Sequence, residues 1–312
     1  MQLQKIEFRK EREFTGVLGD SIKFLKQNFK PLFLSVILII GPVVLLSGLA
    51  YSYMQTLMLS NTFTNPGNIF GPTYFITMGV VYLLMLINSV LLNSVVFNYM
   101  CLYQEKEAGE KITVSEVGAR VWSNIGRVLG SMGLLILLLI VAAVVLGLIG
   151  FGFASMGVFG VVLLILLFIV GGLIYGPVLT YYFSAGFFVV VRDRMMIMPA
   201  FRKVSGYMYG NFWWTWLILV VAMISLSILQ VVFNLPATIL TMTETFTRMR
   251  HITDGSAMGN DHSVLLIVFY TLGRFLTTCS FVILHLVCAF NFLSHEEKQE
   301  GKGLLGRIEE IK

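Results

Sequence analysis

The chain has 312 residues, 57% of them hydrophobic and only 12% charged. Soluble domains average roughly 45–50% and about 25%, so this chain carries too few charges to furnish a water-facing surface, and lipid is the solvent for most of it. The excess of 22 Lys and Arg over 17 Asp and Glu does not point to nucleic acid, because the cations sit in separate loops among acids such as Glu105, Glu107 and Glu110.

Residues 1–31 carry seven cations and four acids with no short apolar core before a small-residue cleavage site, so they read as a retained cytoplasmic segment and not as a secretory signal. Six apolar runs follow, approximately Leu32–Met54, Thr73–Cys101, Val128–Phe153, Gly157–Tyr182, Phe212–Pro236 and Arg274–Phe292. Each is near the roughly 20 helical residues that a bilayer core about 30 Å thick requires. The 64 uncharged residues between Arg127 and Arg192 are too long for one span and break at Gly150–Gly157, which predicts a hairpin. Gly157–Val191 is long for one span, so Pro177 either kinks it or its last turns project into the cytoplasm. Ser263–Gly273 is too short to span and either lies at the outer interface or extends the last helix.

Cationic loops stay cytoplasmic during insertion. Segments 1–31, 102–127, 192–211 and 293–312 hold 19 of the 22 Lys and Arg, which places both termini in the cytoplasm. The expected fold class is therefore all-α: a polytopic membrane protein whose six transmembrane helices form three hairpins, each preceded by a cytoplasmic amphipathic helix. It divides into residues 1–31 with an interfacial helix, a membrane domain of 32–293, and a cytoplasmic tail of 294–312.

Aligning on Asn28, Asn124 and Asn211 suggests a threefold internal pattern. Positions ten before, three before and one after read Leu18, Leu25, Phe29, then Val114, Val121, Ile125, then Phe201, Met208, Phe212, one stripe of a helix. Ile22 extends the first stripe, whereas Gly118 and Ser205 weaken the others. The stripe is expected to face acyl chains, with Lys23, Lys26 and Lys30 beside it contacting anionic lipid at about 1 kcal/mol apiece and Pro31 setting a sharp turn into the membrane.

The run from Asp20 through Lys23, Lys26 and Asn28 to Leu32, and the run from Pro199 through Arg202 and Lys203 to Tyr207, resemble uncharacterised six-helix membrane proteins of Bacteroidota. More distantly they resemble the membrane domain of some glycerophosphodiester phosphodiesterases. The resemblance implies a bacterial inner-membrane protein. It brings no activity with it, because the soluble phosphodiesterase domain with its metal-binding carboxylates is missing from this sequence.

No Asp or Glu falls inside the six runs, which argues against an aspartyl intramembrane protease or a carboxylate proton relay. In the last helix Arg274, Thr278, Phe281, His285 and Cys288 share a face by their spacing. On one reading Arg274 holds an anionic headgroup or substrate and His285 titrates or donates a hydrogen bond; on the other Thr278 and His285 bond neighbouring helices. Ser227, Gln230 and Asn234 share a face of the fifth span, as interhelical contacts or as the lining of a path. Asn88, Asn93 and Asn98 wind around the second span, with Ser89 and Ser94 one turn before the latter two.

Gly172 with Gly176, Gly126 with Gly130 and Gly206 with Gly210 allow close helix contact, within the chain, with a membrane-protein partner or with a second copy. They form no phosphate-binding loop. His251, His262, His285 and His295 do not converge, so no metal or other cofactor is expected, and Cys101, Cys279 and Cys288 have neither disulfide nor zinc spacing. Ser131 lacks the surroundings of a nucleophile. The loop 237–262, with Thr241, Thr243, Thr245 and Thr247 before Arg248, reads as a partner contact or a solvated connector. The expectation is a non-enzymatic protein of membrane lipids or membrane partners, with a permease or export-system subunit as the alternative.

Overall fold

In a computed structural model, residues 5–64, 71–107, 109–254 and 263–301 are described. They form seven helices and no strand: α1 Phe14–Thr64, α2 Pro72–Glu105, α3 Val114–Ala154, α4 Gly157–Arg192, α5 Ile197–Met208, α6 Phe212–Asp254 and α7 Ser263–Glu300. Among the described residues α1, α2, α4, α6 and α7 are long and apolar enough to cross a membrane. The chain is a multi-pass membrane protein.

The helices overshoot the apolar runs. At 1.5 Å per residue α1 is about 76 Å long and α6 about 64 Å, twice what a bilayer core needs. Residues 237–254, read from sequence as loop, continue α6 through Pro236. Thr238, Thr241, Thr243, Thr245 and Thr247 each donate a hydroxyl hydrogen bond to the carbonyl four residues back, so these side chains satisfy themselves on the helix instead of opening a turn. The remainder of that expected loop, including His262, lies outside the described residues, as does most of the 294–312 tail. Ser263–Gly273 is the start of α7, and α4 runs unbroken through Pro177.

The sharp turn expected between each amphipathic helix and its span forms once, and it precedes the asparagine. Between α5 and α6 the chain turns at Gly210, whose φ of +83° suits a residue without Cβ, and the Asn211 amide donates to the Met208 carbonyl at 2.9 Å. At Pro31 α1 does not turn. Phe24 and Leu32 on either side are fully buried, and burial of two such side chains, about 2 kcal/mol each, offsets the roughly 3 kcal/mol that proline costs inside a helix. The helix α3 likewise runs on through Asn124.

The three segments nevertheless repeat in structure, in a register different from the expected one. Seven residues before the asparagine, Ser21, Val117 and Val204 are buried; four after it, Leu32, Val128 and Thr215 are buried. Each asparagine side chain donates from Nδ2 to the carbonyl one turn back: Asn28 to Phe24 at 3.0 Å, Asn124 to Arg120 at 3.2 Å and Asn211 to Tyr207 at 3.4 Å. The stripe expected to be lipid-facing is mixed. Ile22 and Phe29 are exposed, but Val121 and Met208 are buried.

The chain forms two compact units. Met1–Leu32, Asn93–Met223 and Ile283–Lys312 make the first, and Phe33–Leu92 with Ile224–Val282 the second. The first is centred on a cluster of Phe8, Phe24, Tyr103 and Phe290, with ring centroids 4.9–6.1 Å apart. Arg12 pins the N-terminal strap over it: the guanidinium lies 5.0 Å from the Phe290 ring, donates to Asp20 at 2.7 Å and to the carbonyls of Glu7, Phe8 and Lys10. Also in the first unit the start of α4 packs closely on the end of α3 at Gly160, where a Cβ would stand 1.9 Å from the Phe153 carbonyl oxygen. In the second unit α1 and α7 touch at Gly48 and Thr271, and Asn88 donates to Ser47 at 2.7 Å.

Candidate functional site

In the first unit α4 and α7 run parallel in one register, 104 residues apart, because on each helix the matching side chains recur every four residues. At their C-terminal ends Arg192 donates to both oxygens of Glu296, at 2.6 Å each. One turn deeper Phe188 and Phe292 meet edge to face at 6.0 Å, and the Arg192 guanidinium lies 5.2 and 5.3 Å from the two rings. Another turn deeper Ser184 bonds His285 Nδ1 at 3.0 Å and also bonds Cys288, with Phe97 edge-on to the imidazole at 5.9 Å. The layers are thus charged, aromatic and neutral polar.

The charged layer extends onto the α4–α5 link. Asp193 accepts from Arg192 and Lys203 at 2.7 Å each, and Lys203 reaches Glu296 at 3.0 Å. Burial alone would raise the Asp193 carboxyl, but its hydrogen bonds from Arg192 and Lys203 outweigh burial and hold it below the usual carboxylate range. Burial would likewise lower the Lys203 ammonium, and its two carboxylate partners raise it instead. The link itself is bent at Arg194, a non-glycine residue with φ +56°. Beside the network is a cavity of about 370 Å³, bordered by Phe8, Arg9, Met195, Leu293 and Glu300.

The residues singled out from sequence are divided between the two units. On α7, Arg274 and Thr278 belong to the second unit and are half-buried, Phe281 is exposed, and His285 and Cys288 are buried in the first. Thr278 donates back to the Arg274 carbonyl at 2.9 Å. Of the α6 row, Ser227 is exposed and Gln230 half-buried. Asn234 donates to the Gln230 carbonyl at 2.8 Å and to Thr277 Oγ1 at 3.1 Å, an α6–α7 contact inside the second unit. Lys23, Lys26 and Lys30 are all exposed.

An added Cβ at Gly126, Gly130, Gly172, Gly176, Gly206 or Gly210 would meet nothing within 4 Å among the described residues. Among the described residues those glycines make no close contact, whereas Gly48, Gly160, Gly186 and Gly273 do. All three cysteines are buried and free, and no group of ligands suited to a metal ion occurs among the described residues.

No family model, curated protein or solved structure matches the chain. Its site residues therefore rest on geometry alone. Sequence reasoning found His285 but missed Ser184, Arg192, Asp193, Lys203 and Glu296 as a group. The available signal was the shared four-residue spacing of Arg192, Phe188 and Ser184 on one helix and Glu296, Phe292 and Cys288 on another.

Proposed function

We propose that the protein is a six-span, non-enzymatic protein of a bacterial inner membrane that organises lipid at the cytoplasmic leaflet. The observation that carries this reading is an exposed aromatic residue beside each repeated asparagine: Phe29 is 52% exposed, Trp122 65% and Tyr209 89%. Exposed Lys26 and Lys30 flank the first, and exposed Arg202 lies one to two turns before the third. Aromatic rings with neighbouring cations settle at the headgroup level. The three asparagines thus mark one membrane boundary, α3 counts as the sixth span, and the three hairpins α1–α2, α3–α4 and α6–α7 start from the cytoplasm. The inner-membrane assignment is supported by the sequence resemblance. Native mass spectrometry of the gently extracted full chain tests the reading. Retained anionic phospholipid should fall at least twofold when Lys23, Lys26 and Lys30 are changed together to Gln, and unchanged retention contradicts it.

A permease or export-system subunit is the second reading, favoured by the 370 Å³ cavity beside the Arg192–Glu296 pair. It requires substrate flux in vesicles, lost when that cavity is filled by Met195→Trp.

A further inference from the structure

We infer that α4 hinges at Pro177 and that the indole of Trp216 latches the hinge. A proline inside a helix has no N–H to offer the carbonyl four residues back, and its ring pushes against that carbonyl. For Pro177 the carbonyl is that of Leu173, and Trp216 Nε1 donates to it at 3.0 Å. The donor stands near the start of α6, 43 residues along the chain. The bond that α4 lacks is thus supplied by another helix of the same unit. In lipid an unbonded carbonyl is costly, because no water replaces the missing donor. The indole therefore favours the unbroken form of α4, and losing its bond favours a bend.

Burial changes at the same residue. From Gly157 to Gly176, about 30 Å of helix, Gly160 alone is buried, where it meets the end of α3. From Pro177 onward Val178, Tyr181 and every residue from Ser184 to Val191 are buried. The N-terminal half of α4 is therefore an arm about one bilayer core in length, joined at Pro177 to a half that is fixed in the core of the unit. The end of α3 accompanies the arm: Leu164 lies against Gly150, and among the described side chains from Gly133 to Ala154 none is buried. Helices bend sharply at proline and where glycine is close by. Gly172 and Gly176 stand directly before Pro177, with open space where a side chain would be. Their spacing, which reads as a contact motif, here serves bending. A bend at this point tilts the arm and leaves the Arg192–Glu296 end of α4 in place.

Pulsed electron paramagnetic resonance on the full chain in phosphatidylcholine vesicles tests the latch. Nitroxides are attached at Met156→Cys, beside the arm, and at Met198→Cys on α5, both exposed positions of the first unit, with the native cysteines replaced. Trp216→Phe keeps an aromatic ring but loses the N–H, and should widen the distance distribution about twofold or more. Pro177→Ala restores an N–H for the Leu173 carbonyl, so in that background Trp216→Phe should leave the distribution narrow. An unchanged width for Trp216→Phe alone overturns the proposal. Equal widening in both backgrounds also overturns it, because Trp216 would then act through packing. If Trp216→Phe does not assemble, rescue of assembly by Pro177→Ala supports the latch, and failure of that rescue overturns it.

Discussion

Arg192 and Glu296 form a two-pronged ion pair over the Phe188 and Phe292 rings, and this pair closes the parallel α4–α7 packing at its C-terminal end. Their side chains are only 16% and 17% exposed, so removing one partner leaves the other charge poorly solvated. Glu296→Gln or Arg192→Met should destabilise the fold by about 2–4 kcal/mol, read as a lower melting temperature in detergent. The swapped pair Arg192→Glu with Glu296→Arg should recover part of the loss; a swap no better than either single change would show that the partners act separately.

Arg12 ties five groups together, three of them on its own strap. Its planar fork reaches the carbonyls of Glu7, Phe8 and Lys10 and the Asp20 carboxylate simultaneously, a geometry lysine cannot reproduce. Arg12→Lys should therefore cost about 2 kcal/mol and release the strap. Trypsin cleavage after Lys5, Arg9 and Lys10 gives the readout, and an unchanged cleavage rate would contradict the role.

The three asparagines are equivalent in position but not in consequence. Asn28 accepts from the Tyr99 hydroxyl at 3.0 Å and Asn124 donates to Asn98 at 3.1 Å, both buried, whereas Asn211 is half-buried and its side chain bonds the Tyr207 carbonyl one turn back. Leucine at 28 or 124 should cost about 1–3 kcal/mol by stranding a buried partner. At 211 it should cost under about 0.5 kcal/mol. Equal losses at all three would point to the local bond as the source.

Much of this was legible in the sequence, and the failures have physical causes. Apolar length and charge spacing located the helices, because those signals are local. The helix ends were misplaced where threonines bond their own backbone, since Thr241 to Thr247 look like loop by composition. Pro31 was read as a turn because its neighbours' burial is a tertiary fact. His285 stood out as a lone polar group in an apolar run, but its partner Ser184 is 101 residues away and becomes visible only once α4 and α7 are laid side by side.

The start of α3 should respond to acid. Glu116 accepts hydrogen bonds from the Lys106 ammonium and from the Thr113 backbone and hydroxyl, completing a capping box, and these pull its carboxyl down to about 2 from 4.5. Because the folded value is the lower one, the cap's stabilisation is full above pH 4.5 and is lost as pH falls toward 2. Amide exchange in the first turn of α3, corrected for intrinsic rates, should accelerate across that window in the native protein. Glu116→Gln should remove the dependence; a native profile flat from pH 5 to 2 would contradict it.

The central claim, six spans entered from the cytoplasm, is tested most directly by the α3–α4 turn, where Met156 is exposed. In a cysteine-free background, single cysteines at Asn61, Glu107, Met156 and Met196 are treated in intact spheroplasts with a membrane-impermeant maleimide. Labelling of Asn61→Cys and Met156→Cys from outside, with Glu107→Cys and Met196→Cys reacting only after permeabilisation, is the expected result. Protection of Met156→Cys in intact cells, or outside labelling of Glu107→Cys, would contradict it.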